Sequence, residues 1–240
     1  MPYYYGYGFD WTYLVLVLPC IILSMWASSS VNSTFKKYST VYSYRRITGA
    51  EAAQRVLSAN GVRNVRIERV SGNLTDHFDP KTNVIRLSDS VYSATSTAAI
   101  GVACHEAGHA VQYAQNYGPI KLRAAIIPVT NFGSKIAMPL ILIGVLLSAM
   151  GEISYTFIYL GIAAFSLSLV FQLVTLPVEF NASRRAMQAI ESANILTEEE
   201  QRGARKTLRA AAMTYVAATA VSLAQLLRLI LLFGGRRRDD

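Results

Sequence analysis

Hydrophobic positions in this chain fall into two patterns: long apolar runs nearly free of charge, and shorter stretches in which apolar and polar residues alternate or recur at helical spacing. Trp11 to Ala27 is the first run, followed by small residues and then Lys36 and Lys37 rather than by an A-x-A cleavage site. It predicts a retained membrane anchor, not a cleaved signal peptide. Ile136 to Met150 and Tyr155 to Val178 are separated only by Gly151, Glu152, Ile153 and Ser154, which predicts a transmembrane hairpin. A fourth run, Ala210 to Phe233, is weaker, because Arg228 interrupts it and its first half is rich in Ala, which packs helices closely but adds little hydrophobicity. Three or four spans are therefore expected.

The mixed pattern lies mainly between the first and second runs. From Thr48, GAEAAQRVLSANG places Ala52, Val56 and Leu57 on one face and closes at Gly61, as a short amphipathic helix does. Asn64 to Val70 and Asn83 to Leu87 alternate apolar and polar residues around a loop containing Ser71, Gly72, Asn73, Asp79 and Pro80, and predict two β-strands. Ser90 to Tyr113 returns to helical spacing and ends near Asn116, Gly118 and Pro119.

Composition supports lipid contact: 52% of the 240 residues are hydrophobic and 16% charged, against roughly 25% charged in soluble domains. The net charge of +8 is scattered between hydrophobic segments without an aromatic-basic recognition motif, which argues against nucleic acid and for anionic lipid headgroups as counter-charge. Segment 30–135 holds thirteen Lys and Arg and segment 179–209 holds six, whereas the first ten residues and the 151–154 turn hold none, which assigns both basic segments to the cytoplasm. Four full spans would put Arg236, Arg237 and Arg238 outside, against that rule. Tyr3, Tyr4, Tyr5, Tyr7, Trp11 and Tyr13 suit an interfacial aromatic belt or a disordered tail.

The chemistry sits in Cys104-His105-Glu106-Ala107-Gly108-His109-Ala110, an HExxH sequence. On a helix, positions i and i+4 share one face, so His105 and His109 can grip one Zn²⁺ while Glu106 stands beside it as a general base. Three protein ligands leave a position for water, whose pKa the metal lowers toward neutrality, so the pattern points to peptide hydrolysis. Cys20 and Cys104 are too far apart for a CxxC knuckle, leaving His and carboxylate as the donors. The remaining histidine, His77, lies upstream of the motif, so a carboxylate is the natural third ligand. Glu179, a lone acid at the end of the third apolar run, is the candidate, with helix capping as its alternative role. His77, Tyr215 and Arg184 are candidate oxyanion or substrate contacts. The strand Asn83 to Leu87 is a candidate edge for an extended substrate, or simply a packing element.

Four blocks in order, NLTDHFDPKTNVIRLS, HEAGHAVQ, LPVEFNASRRA and LRAAAMTYVAA, resemble the bacterial YugP-like membrane neutral zinc metallopeptidases over nearly the whole chain. The resemblance implies Glu179 as third ligand, in the gluzincin manner, and the more distant HtpX-like membrane proteases have a similar Glu-Phe-x-Ala block. Those relatives continue with Asp where this chain has Ser183, which leaves the carboxylate support at that position without a counterpart.

The expected protein is thus mainly α: a membrane helix bundle with a small α+β zincin-like insertion carrying the HExxH helix. Its expected segments are 1–29 (tail and first span), 30–135 (soluble α+β part), 136–178 (transmembrane hairpin), 179–209 (third-ligand helix region) and 210–240 (last membrane helix and basic tail). The expected activity is zinc-dependent endopeptidase action on protein or peptide substrates at a bacterial inner membrane, with the site on the cytoplasmic side and a role in membrane-protein quality control. Two other readings are a site-2-type intramembrane protease and an inactive metal-binding membrane scaffold. The first expects a later Asp-Gly pair, which this chain lacks, and the second has no need of Glu106.

Overall fold

The computed structural model describes residues 10–234; the tyrosines at 3, 4, 5 and 7 and the arginines at 236, 237 and 238 lie outside them. Along the chain, a π-helical turn Tyr13–Val17 leads into α1 (Leu18–Tyr38), followed by α2 (Gly49–Ala59), β1 (Arg66–Val70), β2 (His77–Asp79), β3 (Val84–Ser88), α3 (Thr97–Ala114), α4 (Gly118–Leu146), α5 (Glu152–Ser192) and α6 (Glu198–Phe233). Among the described residues, four helices, Tyr13–Tyr38, α4, α5 and α6, are long and apolar enough to cross a membrane.

Each of the last three helices begins or ends well outside its apolar run. Helix α4 starts at Gly118, not near Ile136, with Pro119 in its first turn, where a missing N–H costs nothing, and Pro128 and Pro139 inside it. The expected third-ligand region is divided: its later part opens α6, and its first part, as far as Ser192, joins the third apolar run in α5, one helix of 41 residues. At 1.5 Å per residue that is about 61 Å, twice a ~30 Å hydrocarbon core, so one helix can span and still extend into a polar region. Helix α6 begins with a capping box: Glu200 Oε2 accepts from the Thr197 N–H (2.8 Å) and Thr197 Oγ1 from the Glu200 N–H (3.4 Å).

The contacts divide the chain into two compact units, one of Met1–Trp26, Ile126–Leu173 and Val216–Asp240, the other of Ala27–Ala125 and Val174–Tyr215. In the first, small residues let the α4–α5 hairpin close tightly. A Cβ on Gly144 would lie 2.8 Å from Ser154 O, and one on Gly161 2.8 Å from Ala137 O. Ser154 Oγ donates to Gly144 O at 2.7 Å. Arg228, which weakens the last apolar run, donates to Asp10 Oδ2 through Nε and Nη2 and lies 5.4 Å from the Tyr13 ring centroid. That pairing removes the charge penalty which the bare sequence assigned to α6.

The second unit is built around α3 and a three-stranded sheet. Thr48 starts α2 with a second capping box, accepting from the Glu51 N–H (3.2 Å) while Glu51 Oε2 accepts from the Thr48 N–H (2.8 Å). Its apolar face, Ala52, Ala53, Val56 and Leu57, is fully buried with Ile85, Leu87, Ile100 and Ile190 in one core. The sheet order is β1-β3-β2, with β1 and β3 parallel and β2 antiparallel to β3. The two strands expected from alternation are therefore parallel neighbours, and the short β2 was not anticipated. Because β3 is bonded on both sides, its backbone is spent, and Asn83 to Leu87 cannot serve as a substrate-binding edge.

Helix α3 begins at Thr97, seven residues after the expected start at Ser90, because the Ser96 hydroxyl caps it by accepting from the Ala99 N–H (3.3 Å). It ends at Ala114, and Asn116 (φ 56°) turns the chain toward α4. Gly108 is the point at which α3 meets α5: a Cβ there would lie 2.8 Å from Ala182 O, a backbone atom that cannot rotate away. A Gly108→Ala variant is expected to force the helices apart at a cost of roughly 1–3 kcal/mol, read as a lower Tm in detergent together with reduced zinc retention. Asp10→Ala, which strands the Arg228 guanidinium, is expected to lower Tm without changing zinc retention.

Candidate metal centre

One turn of α3 separates His105 from His109, and their rings meet edge to face with centroids 4.7 Å apart. Glu179 arrives from α5, only 2% exposed. Its Oε2 lies 3.3 Å from His105 Nε2 and 3.5 Å from His109 Nε2. One donor atom from each of the three residues falls within 4.8 Å of the other two. Tetrahedral zinc with bonds near 2.0–2.1 Å holds its ligand atoms about 3.3 Å apart, so the oxygen already stands from each nitrogen at about the spacing such an ion requires.

The outward atoms of all three groups are fixed by neighbours. Gln112 Nε2 donates to Val178 O and Asn181 Oδ1, each at 2.9 Å, so its Oε1 is left to accept from His109 Nδ1 at 2.9 Å. That bond puts the ring proton on Nδ1 and the lone pair on Nε2, facing Glu179. His105 Nδ1 lies 3.1 Å from Ser183 Oγ, a hydroxyl that can accept its ring proton and so orient the imidazole. Glu179 Oε1 accepts from Arg123 Nη1 at 2.8 Å, leaving Oε2 for the histidines. Burial by itself would lower the His109 pKa, but the bond to Glu179 and the charges of Glu106 and Glu179 outweigh it and hold the pKa above its ordinary value. The field at Nε2 thus favours a cation. Donor set, spacing and field all fit zinc.

Beside this cluster lies a cavity of about 380 Å³ lined by His105, Glu106 and Glu179, by Phe35 of α1, and by Tyr215 and small residues of α6. Glu106 is mostly buried and opens onto it from the residue next to His105. The Tyr215 phenol engages the Glu179 carboxylate. The other two expected contacts lie elsewhere. His77 is exposed on β2, with Nδ1 2.8 Å from Thr75 O, and it does not line the cavity. The pleat turns its neighbours inward instead: Phe78 packs edge-on against Tyr113, and Asp76 faces the cavity. Arg184 follows Ser183 on α5, and one residue of helix rotation carries it away from His105 into a separate groove.

Sequence reasoning did not single out Arg123, Gln112 or Asp76. Asp76 accepts from the Ser88 N–H (2.7 Å) and hydroxyl (2.9 Å), yet burial pushes its carboxyl above the ordinary value, with the Glu106 charge adding to the effect. Gln112 carried one weak signal, its place at i+3 from His109, where a side chain on the same helix can reach the ring.

Residues 13–234 match the family model described as "Putative neutral zinc metallopeptidase". The chain is also 48% identical over 228 residues to a Bacillus subtilis (strain 168) protein called "Putative membrane protease YugP", covering 95% of this chain and 99% of that one. No solved structure gives a significant match. A match that runs from the first membrane helix to the end of the last takes in the histidine pair, Glu179 and all the elements that position them, and the chain belongs to this family of neutral zinc metallopeptidases.

Proposed function

We propose that the protein is a membrane-bound, zinc-dependent endopeptidase in which His105, His109 and Glu179 hold the metal and Glu106 is the general base. The observation that carries this reading is the convergence of His105 Nε2, His109 Nε2 and Glu179 Oε2 beside a cavity that also receives Glu106. Zinc bound there would supply a Lewis acid for the scissile carbonyl and lower the pKa of the attacking water.

The protein's own groups account for the rest. Glu106 takes the proton of the attacking water and passes it to the leaving amine, the two-way transfer expected of a carboxylate beside the reacting atoms. Gln112 keeps the His109 imidazole in the tautomer with a lone pair on Nε2, and the Ser183 hydroxyl is placed to accept the corresponding Nδ1 proton of His105. Arg123 holds Glu179 to one oxygen. Tyr215 is the candidate donor to the developing oxyanion, since its phenol lies in the same cavity and already engages Glu179.

A site-2-type intramembrane mechanism is disfavoured because α3, at 18 residues, is absent from the helices suited to crossing a membrane. The excess of Lys and Arg in 30–135 and 179–209 supports a cytoplasmic site in a multi-pass protein of the cell membrane. Loops of membrane proteins are then the natural substrates, which supports a quality-control role.

Purified wild type, Glu106→Gln and Glu179→Ala in one detergent test the assignment through zinc content and cleavage of casein or a membrane-protein substrate. Wild type is expected to hold about one zinc and cleave. Glu106→Gln should keep zinc and lose about 10²-fold or more of the rate, and Glu179→Ala should lose zinc. A wild type that binds zinc but never cleaves favours the scaffold reading. Ser183→Ala is expected to weaken zinc binding by about 10–100-fold in a chelator competition, with a smaller loss in Ser183→Asp.

A further inference from the structure

Arg184, which the cavity does not receive, lines a groove of about 580 Å³ between α5 and α6. Phe180, Arg184 and Met187 recur at i, i+4 and i+7 on one face of α5, and Arg205, Arg209 and Met213 at i, i+4 and i+8 on one face of α6. The two faces therefore present the same combination, guanidinium groups beside apolar side chains. Phe180 is 48% exposed, high for an aromatic residue with no partner to cover it.

The charge in the groove is uncompensated. Arg184, Arg205 and Arg209 have no ion pair or side-chain hydrogen bond among the described residues, and Glu191 is the one carboxylate in the lining. The adjacent Arg185 shows the contrast, since it is occupied by Asn181 (2.7 Å) and Gln115 (2.6 Å). Position along the helices narrows the ligand. Arg184 lies six residues past Val178, the end of the third apolar run, or about 9 Å along the axis, and Arg209 immediately precedes Ala210, the start of the fourth. Both helices thus carry their arginines where apolar chain gives way to polar chain, the level of lipid headgroups.

We infer that this groove binds an anionic phospholipid, its phosphodiester held by Arg184, Arg205 and Arg209 and its upper acyl chain lying against Phe180 and Met213. Guanidinium groups match phosphate oxygens by paired hydrogen bonds, and the apolar side chains give the hydrocarbon a surface that inorganic phosphate could not use.

The full-length protein in detergent, mixed with phosphatidylglycerol or phosphatidylcholine and read by native mass spectrometry, tests this. Wild type is expected to retain phosphatidylglycerol over phosphatidylcholine. The triple variant Arg184→Gln/Arg205→Gln/Arg209→Gln should lose that preference by about tenfold or more, while Arg55→Gln/Arg63→Gln/Lys81→Gln, with the same change in net charge, keeps it. Equal retention of the two lipids by wild type, or an unchanged preference in the groove variant, overturns the site, as does displacement of the lipid by millimolar inorganic phosphate alone. If the triple variant does not fold, a photoactivatable phosphatidylglycerol on wild type decides the matter: crosslinks within 180–191 and 205–213 support the groove, and crosslinks confined to other segments refute it.

Discussion

The structure depends on keeping one carboxylate, Glu179, out of water. A bare carboxylate at 2% exposure would cost several kcal/mol, and the protein answers with three nitrogen groups from two other helices, Arg123 on one oxygen and His105 and His109 facing the other. Much of the second unit serves that arrangement. Gly108 brings α3 against α5, Gln112 ties the far side of His109 to the α5 backbone, and the buried core of α2 and β3 gives α3 a rigid bed. The same neutralisation recurs in the first unit, where Asp10 answers Arg228.

The parts of this design that depend on local spacing could be read from residues alone. HExxH is a statement about one helix face, and the spacing of Ala52, Val56 and Leu57 after Thr48 is a statement about another, so both survive without tertiary information. The apolar runs likewise announced three helices suited to a membrane and a weaker fourth, and all four are present among the described residues. Helix ends were a different matter. Hydropathy marks where a helix can touch lipid, not where its hydrogen bonds stop, so α4 and α5 extend through polar sequence that the runs did not include.

What the sequence concealed is pairing over distance. Alternation reveals a strand but not its neighbour, so the parallel β1–β3 pair and the three-residue β2 beside it were out of reach, and with them the fact that Asp76 turns inward and His77 outward. Arg123 carries no local signal of its role, because its partner comes from α5, 56 residues later. Ser183 stood out only against the Asp that the resemblance implied, and its contact with His105 depends on how two helices cross.

The 74 residues between His105 and Glu179 also set an order of events during synthesis. At translation rates of about 5–20 residues per second, the histidine pair leaves the ribosome roughly 4–15 s before the carboxylate that completes the trio. Between them lie α4 and most of α5, two of the helices long and apolar enough to cross a membrane. The nascent chain therefore carries two of its three donors until α5 is made, and synthesis of the hairpin becomes the event that delivers the third. A site assembled this way is completed by the folding of the chain itself.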